Sequence, residues 1–213
     1  MKLITNLFTS SLGRKFIMAG SGCVLFLFVV GHMVGNLQFF LPPEAINRYA
    51  HFLQSLGELL WAERLFMLAM IVLHIWSAAA LTLENRAARP EPYSSGKAPF
   101  AASLASRTMF VSGLILGSFL IYHLLHFTVR VEDINGTSIP IGQLKDPATG
   151  HPDCYAMMVA GFSVVPVSLF YIVGVGLLCF HLSHGIQAMF QSLGLRNAAY
   201  AALVAKASKV IAL

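Results

Sequence analysis

The chain has 213 residues, 57% of them hydrophobic and only 11% charged, and its mean hydropathy is +0.72. That profile excludes an ordinary soluble domain and points to the bilayer. Fourteen Lys and Arg against nine Asp and Glu place the pI near 9.3; these bases lie between apolar stretches, where they set membrane orientation rather than bind nucleic acid.

The charges divide the chain into spans. No charged side chain falls between Lys15 and Glu44, Arg64 and Glu84, Arg107 and Arg130, or Asp153 and Arg196. A crossing needs about 20 apolar residues, so the first three stretches each predict one transmembrane helix, over about 16–41, 60–84 and 106–130. The first is too long for a signal-peptide core and has no A-x-A cleavage site, so it reads as a permanent span. The fourth stretch is too long for one crossing. Pro166 divides it, because proline is tolerated in the first turn of a helix. The fourth span then covers about 167–192, and 155–165 lies along the interface. A C-terminal helix over about 197–213 carries Lys206 and Lys209 and ends on apolar residues. It fits either a surface helix or the opening of a fifth span. The expected fold is an all-α integral membrane bundle, one domain over 1–213.

A cytoplasmic N-terminus puts Lys2, Arg14, Lys15, Arg86, Arg89, Lys97, Arg107, Arg196, Lys206 and Lys209 inside. Only Arg48, Arg64, Arg130 and Lys145 are then outside, which is a positive-inside bias.

Each span carries one deep histidine: His32, His74, His123 and His181. Ionisable groups in spans are costly and mark functional sites, and imidazole is a usual protein ligand of haem iron. At 1.5 Å per residue, His32 and His123 fall in the outer halves of their helices, and His74 and His181 in the inner halves, with the two layers roughly 10–15 Å apart. Depth therefore pairs His32 with His123 and His74 with His181, as axial ligands of an outer and an inner haem. Cys23, Cys154 and Cys179 form no C-x-x-C pair and no C-x-x-C-H motif, so such haems would be non-covalent, of the b type. The competing reading is helix–helix hydrogen bonding by the same histidines. His126 and His184 lie one turn beyond two of the ligands, near the membrane surfaces, where they snorkel or meet a propionate. His51 and His151 read as solvated loop residues. Gly20, Gly22, Ser112, Gly113, Gly117, Ser118, Gly174 and Gly176 fit either a flat porphyrin or ordinary small-residue packing. Arg14, Lys15 and Arg107 fit either propionate partners of the inner haem or positive-inside anchors.

Five segments, in order, carry a family resemblance: FLFVVGHMVGN, NRYAHFLQSL, IVLHIWSAAAL, SRTMFVSGLILGSFLIYHLLHF and FYIVGVGLLCFHLSHGIQAMF. Together they resemble the membrane-anchor cytochrome b subunit of succinate:quinone oxidoreductase (succinate dehydrogenase or fumarate reductase), in its single-polypeptide, di-haem form. The resemblance implies two haem b groups and an electron-transfer role without the catalytic succinate site. It implies a flavoprotein subunit with covalent FAD and an iron–sulfur subunit docked on the cytoplasmic face. A membrane quinone, with menaquinone favoured, would complete the set in a bacterial cytoplasmic membrane, and the complex can form a higher oligomer. Quinone chemistry needs proton donors near the headgroup, and depth nominates Gln54, Glu58, Glu63 and Arg64. Some family members carry a glutamate two residues before the histidine of the fourth span. Cys179 stands there, which argues against that proton route. The competing functions are a cytochrome b anchor of a hydrogenase or formate dehydrogenase, a metal-ion transporter, and a purely structural anchor.

Overall fold

The computed structural model describes residues 2–88, 104–134, 136, 139–197 and 199–212, without the side chains of 2–4 and 104–107. Arg89 and Lys97 therefore lie outside the described residues, as does the side chain of Arg107. The described chain is helical: α1 (Lys2–Thr9), α2 (Ser11–Asn36) continued by a 3-10 turn (Leu37–Phe40), α3 (Pro43–Ser55), α4 (Glu58–Ala87), α5 (Leu104–His123) continued by a π-turn (Leu124–Val129), α6 (Cys154–Phe162), α7 (Val165–Ser192) and α8 (Ala201–Ile211).

Four helical stretches are long and apolar enough to cross a bilayer: Ser11–Phe40, Glu58–Ala87, Thr108–Val129 and Val165–Ser192. They match the four expected spans, and Pro166 sits in the first turn of α7 as expected. No more than 17% of the most apolar window of any span is buried. Most of their large apolar side chains therefore face outward, as they must where the solvent is lipid. Helix α8 has eleven residues, a length of about 16 Å at 1.5 Å per residue, too short by itself to cross.

Three helices, α1, α3 and α6, were not expected from the sequence; α6 falls in the stretch placed along the interface. Helix α1 precedes the first span; Ser10 caps α2 by accepting from the Gly13 amide at 3.0 Å. A side chain at Gly13 would collide with the Leu7 carbonyl at 2.3 Å, so only glycine permits that tight join. Helix α3 occupies the stretch before the second span. It starts on Pro43 with Glu44 in its first turn, a favourable arrangement at a helix N-terminus.

The chain divides into two compact units. The first comprises residues 1–27, 66–114 and 178–213, and the second 28–65 and 115–177. In the first unit the Arg14 guanidinium pairs with Glu84 at 3.3 Å and donates to the Phe8 carbonyl at 3.1 Å. The Ser11 hydroxyl donates to the same carboxylate, tying the start of α2 to the end of α4. The buried Ala19, Ser21, Met67, Ser77 and Leu81 form much of this unit's interior.

In the second unit α3 is clamped to α6. The Asn47 amide nitrogen donates to Asp153 at 3.0 Å, and its oxygen accepts from the Tyr155 amide at 3.0 Å. Asp153 also caps α6 by accepting from the Ala156 amide at 2.9 Å. Phe39 stacks on Tyr155 at 4.9 Å, and Ile46, Ile141 and Met157 are buried in the same unit. His51 is helical, not in a loop, and stacks on His151 at 3.9 Å; both stay exposed. Asn47→Ala removes both polar contacts of the clamp, and is expected to lower stability by about 1–3 kcal/mol, read as an earlier thermal transition of the detergent-solubilised protein.

Candidate functional site

The two histidine pairs are each assembled within one unit. In the first, His74 of α4 and His181 of α7 have ring centroids 6.4 Å apart at 63°. In the second, His32 of α2 and His123 at the end of α5 are 5.8 Å apart at 83°. A first-row metal lies about 2 Å from an imidazole nitrogen, so two rings sharing one metal have centroids roughly 6 Å apart. Among the described residues no three His, Cys, Asp or Glu side chains converge. The sets are pairs, which suits two axial positions rather than a tetrahedral cage.

The hydrogen bonds fix which nitrogen of each ring is available. His74 Nδ1 lies 3.3 Å from the Met18 carbonyl, which can only accept, so Nδ1 carries the proton. It also lies 3.4 Å from Ser21 Oγ. That hydroxyl donates to the Ile17 carbonyl at 2.7 Å and offers the ring a lone pair. His181 Nδ1 is 3.4 Å from Ser112 Oγ, a hydroxyl that also donates to the Met109 carbonyl at 3.1 Å. At His74 the carbonyl leaves the lone pair on Nε2, the state a metal ligand requires. His123 Nδ1 faces the Tyr171 hydroxyl at 3.4 Å, and His32 stacks on Phe28 at 5.5 Å.

Glycines decide how close the helices come to these rings. At Gly22 a side-chain carbon would lie 3.2 Å from the His74 ring, whereas at Gly20, Gly117 and Gly176 it would meet nothing within 4 Å. At the latter three a side chain would enter open space, and Gly20 and Gly176 are exposed. Gly174 serves another purpose: a Cβ there would lie 2.4 Å from the Phe119 ring, so Phe119 fills the space the sequence reading offered to a porphyrin. Phe119 belongs to an aromatic cluster with Tyr122, Phe127, Phe162, Phe170 and Tyr171 around His123.

His126 departs from expectation. It neither snorkels nor lies open to a propionate: it is 0% exposed. Its Nδ1 is 3.2 Å from the Tyr171 hydroxyl, and its Nε2 has no partner. The π-turn starting at Leu124 changes the helical register just after His123, at the kind of irregularity often found at functional sites. His184 is half-buried on α7.

The remaining candidates are peripheral. Arg14 is engaged by Glu84, and Lys15 is exposed. Gln54 and Glu58 are exposed on either side of the turn joining α3 to α4, with Glu63 and Arg64 half-buried a turn further on. The Arg64 guanidinium lies over Trp61 at 5.1 Å, an aromatic–basic pair typical of a membrane interface. An open groove of about 340 Å³ has other walls, Thr128, Val129, Arg130, Glu132, Gly142 and Gln143. Sequence reasoning missed this groove, as it missed Ser21 and Tyr171; it named Ser112 only as a small residue, not as a partner of His181. Of these, only Tyr171 carried a signal, since a phenol in an apolar span needs a partner.

Residues 82–213 match a family described as the succinate dehydrogenase/fumarate reductase transmembrane subunit. The match covers well over half of the chain. The chain belongs to this family. It is thus a multi-pass membrane subunit of the succinate dehydrogenase/fumarate reductase complex. No curated protein and no solved structure matches significantly. The matched region of this transmembrane subunit includes His123 and His181, while their ring partners His32 and His74 lie before it.

Two outcomes follow from the packing. Gly174→Ala forces the Phe119 ring to move, and is expected to destabilise by about 1–3 kcal/mol, read as a lower thermal midpoint in detergent. Outside the spans, burial raises the Cys154 thiol; Arg130 opposes this and Asp153 adds to it. Maleimide labelling of Cys154 at neutral pH is expected to be slower than that of a free thiol, and to accelerate only at more alkaline pH as the thiolate forms.

Proposed function

We propose that this transmembrane subunit is the di-haem b anchor of a succinate:quinone oxidoreductase. The observation that carries the reading is the pair of facing imidazoles in each unit, 6.4 Å and 5.8 Å between centroids. In the first pair, Nδ1 of both rings is held by the protein and Nε2 is left free. His74 and His181 would hold one haem, and His32 and His123 the other. When bound, haem supplies one-electron chemistry. The chain would hold such a group through ring nitrogens of these histidines, with the proton of His74 placed on Nδ1 by the Met18 carbonyl, and without a covalent bond.

In this reading the subunit anchors the flavoprotein and iron–sulfur subunits and passes electrons between the latter and membrane quinone, menaquinone being favoured. The complex sits in a bacterial cytoplasmic membrane with the N-terminus of this chain on the cytoplasmic side. A cytochrome b anchor of another quinone-linked dehydrogenase would need similar histidines, but family membership favours the succinate/fumarate complex. A metal-ion transporter is disfavoured by ligands that come in pairs.

The test is a pyridine-haemochrome assay of the purified complex. Two b-type haems per chain are expected. His→Ala at each of His32, His74, His123 and His181 should remove one spectral component, the same one for both members of a pair. A folded complex without haem would refute the reading.

A further inference from the structure

Tyr171 stands between two histidines. Its hydroxyl oxygen is 3.4 Å from His123 Nδ1 and 3.2 Å from His126 Nδ1. All three side chains belong to the second unit and sit within its aromatic cluster. His126 is wholly buried and its Nε2 is unpartnered. A carbon added at Gly161 would lie 2.9 Å from that nitrogen, so the helix α6 backbone closes the site from that side.

We propose that Tyr171 is a positioning residue for His123, and that His126 sets the direction of its hydroxyl. The inference rests on the di-haem reading above. With the tyrosine proton kept between the two rings, this chain of hydrogen bonds has two arrangements. In one, His123 Nδ1–H donates to the tyrosine oxygen, the tyrosine proton goes to His126 Nδ1, and His126 carries its own proton on Nε2. In the other, His126 Nδ1–H donates to the tyrosine, the tyrosine donates to His123 Nδ1, and the proton of His123 is on Nε2. Only the first leaves a lone pair on His123 Nε2 for iron. The tyrosine has one proton, so the tautomers of His123 and His126 change together. In the liganding arrangement the buried Nε2–H of His126 points at Gly161 with no acceptor. The π-turn that begins at Leu124 places His126 where the phenol can reach both rings.

This arrangement has a measurable consequence. A hydrogen bond from Nδ1–H raises the basicity of the liganding nitrogen and stabilises the oxidised metal. Removing it in Tyr171→Phe should raise the midpoint potential of one haem. The expected size is a three- to tenfold change in its reduction equilibrium, up to about 59 mV for a one-electron couple. The other haem acts as internal control, because the partners of His74 and His181 are Ser21, Met18 and Ser112. His126→Leu removes the acceptor of the tyrosine proton and should move the same component in the same direction by less; it keeps the test decisive if Tyr171→Phe does not assemble. His126→Gln retains an acceptor and should restore the wild-type value.

The experiment is potentiometric titration of the purified complex, followed by haem absorbance and low-spin ferric EPR. A shift confined to one component in Tyr171→Phe or His126→Leu supports the proposal. Two haems that both stay at wild-type potential, or that both move equally, overturn it while leaving the di-haem reading intact. Absence of haem from the wild-type complex overturns both.

Discussion

An unsatisfied imidazole nitrogen is costly among lipid-facing helices, and this constraint shapes the surroundings of the span histidines. Hydrocarbon offers no hydrogen-bond partners, so an unsatisfied ring nitrogen is expensive there. The protein meets half of the requirement. It engages Nδ1 of His74 through the Met18 carbonyl and Ser21, Nδ1 of His181 through Ser112, and Nδ1 of His123 through Tyr171. The serines are suited to the task because each returns its own proton to its helix. At His74 the Met18 carbonyl, which can only accept, places the ring proton on Nδ1. In the proposed function, Nε2 is the nitrogen that would meet the haem.

The spans bury little of themselves, and small residues stand next to the rings: Gly22 beside His74 and Gly113 beside His181. The surroundings of His123 are filled differently. Phe119 occupies the notch of Gly174, His126 occupies that of Gly161, and interlocking aromatics hold Tyr171 in place. Aromatic rings fix orientation with few rotatable bonds, which suits a site where a phenol must meet two rings. Beyond this cluster, the Asn47–Asp153 clamp closes α3 on α6 with polar contacts that a loop segment can make at a wet surface.

The four spans were legible because lipid imposes a strong rule: about 20 residues without charge. Helices α1 and α3 obey no such rule. Short helices that mix polar and apolar residues depend on tertiary contacts, here the Gly13 join and the Asn47 clamp. Position along a helix suggested that His126, a turn from the end of the span, should reach outward. The π-turn and the glycine at 161 draw it inward instead. In the sequence Arg14 fits an anchor and an anion partner equally well; the structure pairs it with Glu84.

The amino-acid sequence by itself determined the membrane class, the number of spans, and the placing of one deep histidine in each. Those properties depend on composition and on distance along a helix, which are local. Only the tertiary structure decided which side chains occupy Nδ1, that Gly174 receives a phenylalanine, and that a tyrosine links His123 to His126. A hydrogen bond between helices depends on rotation about the helix axis, and residues far apart in the chain must agree on it. Hydropathy carries no information about that rotation when a helix is apolar on every face.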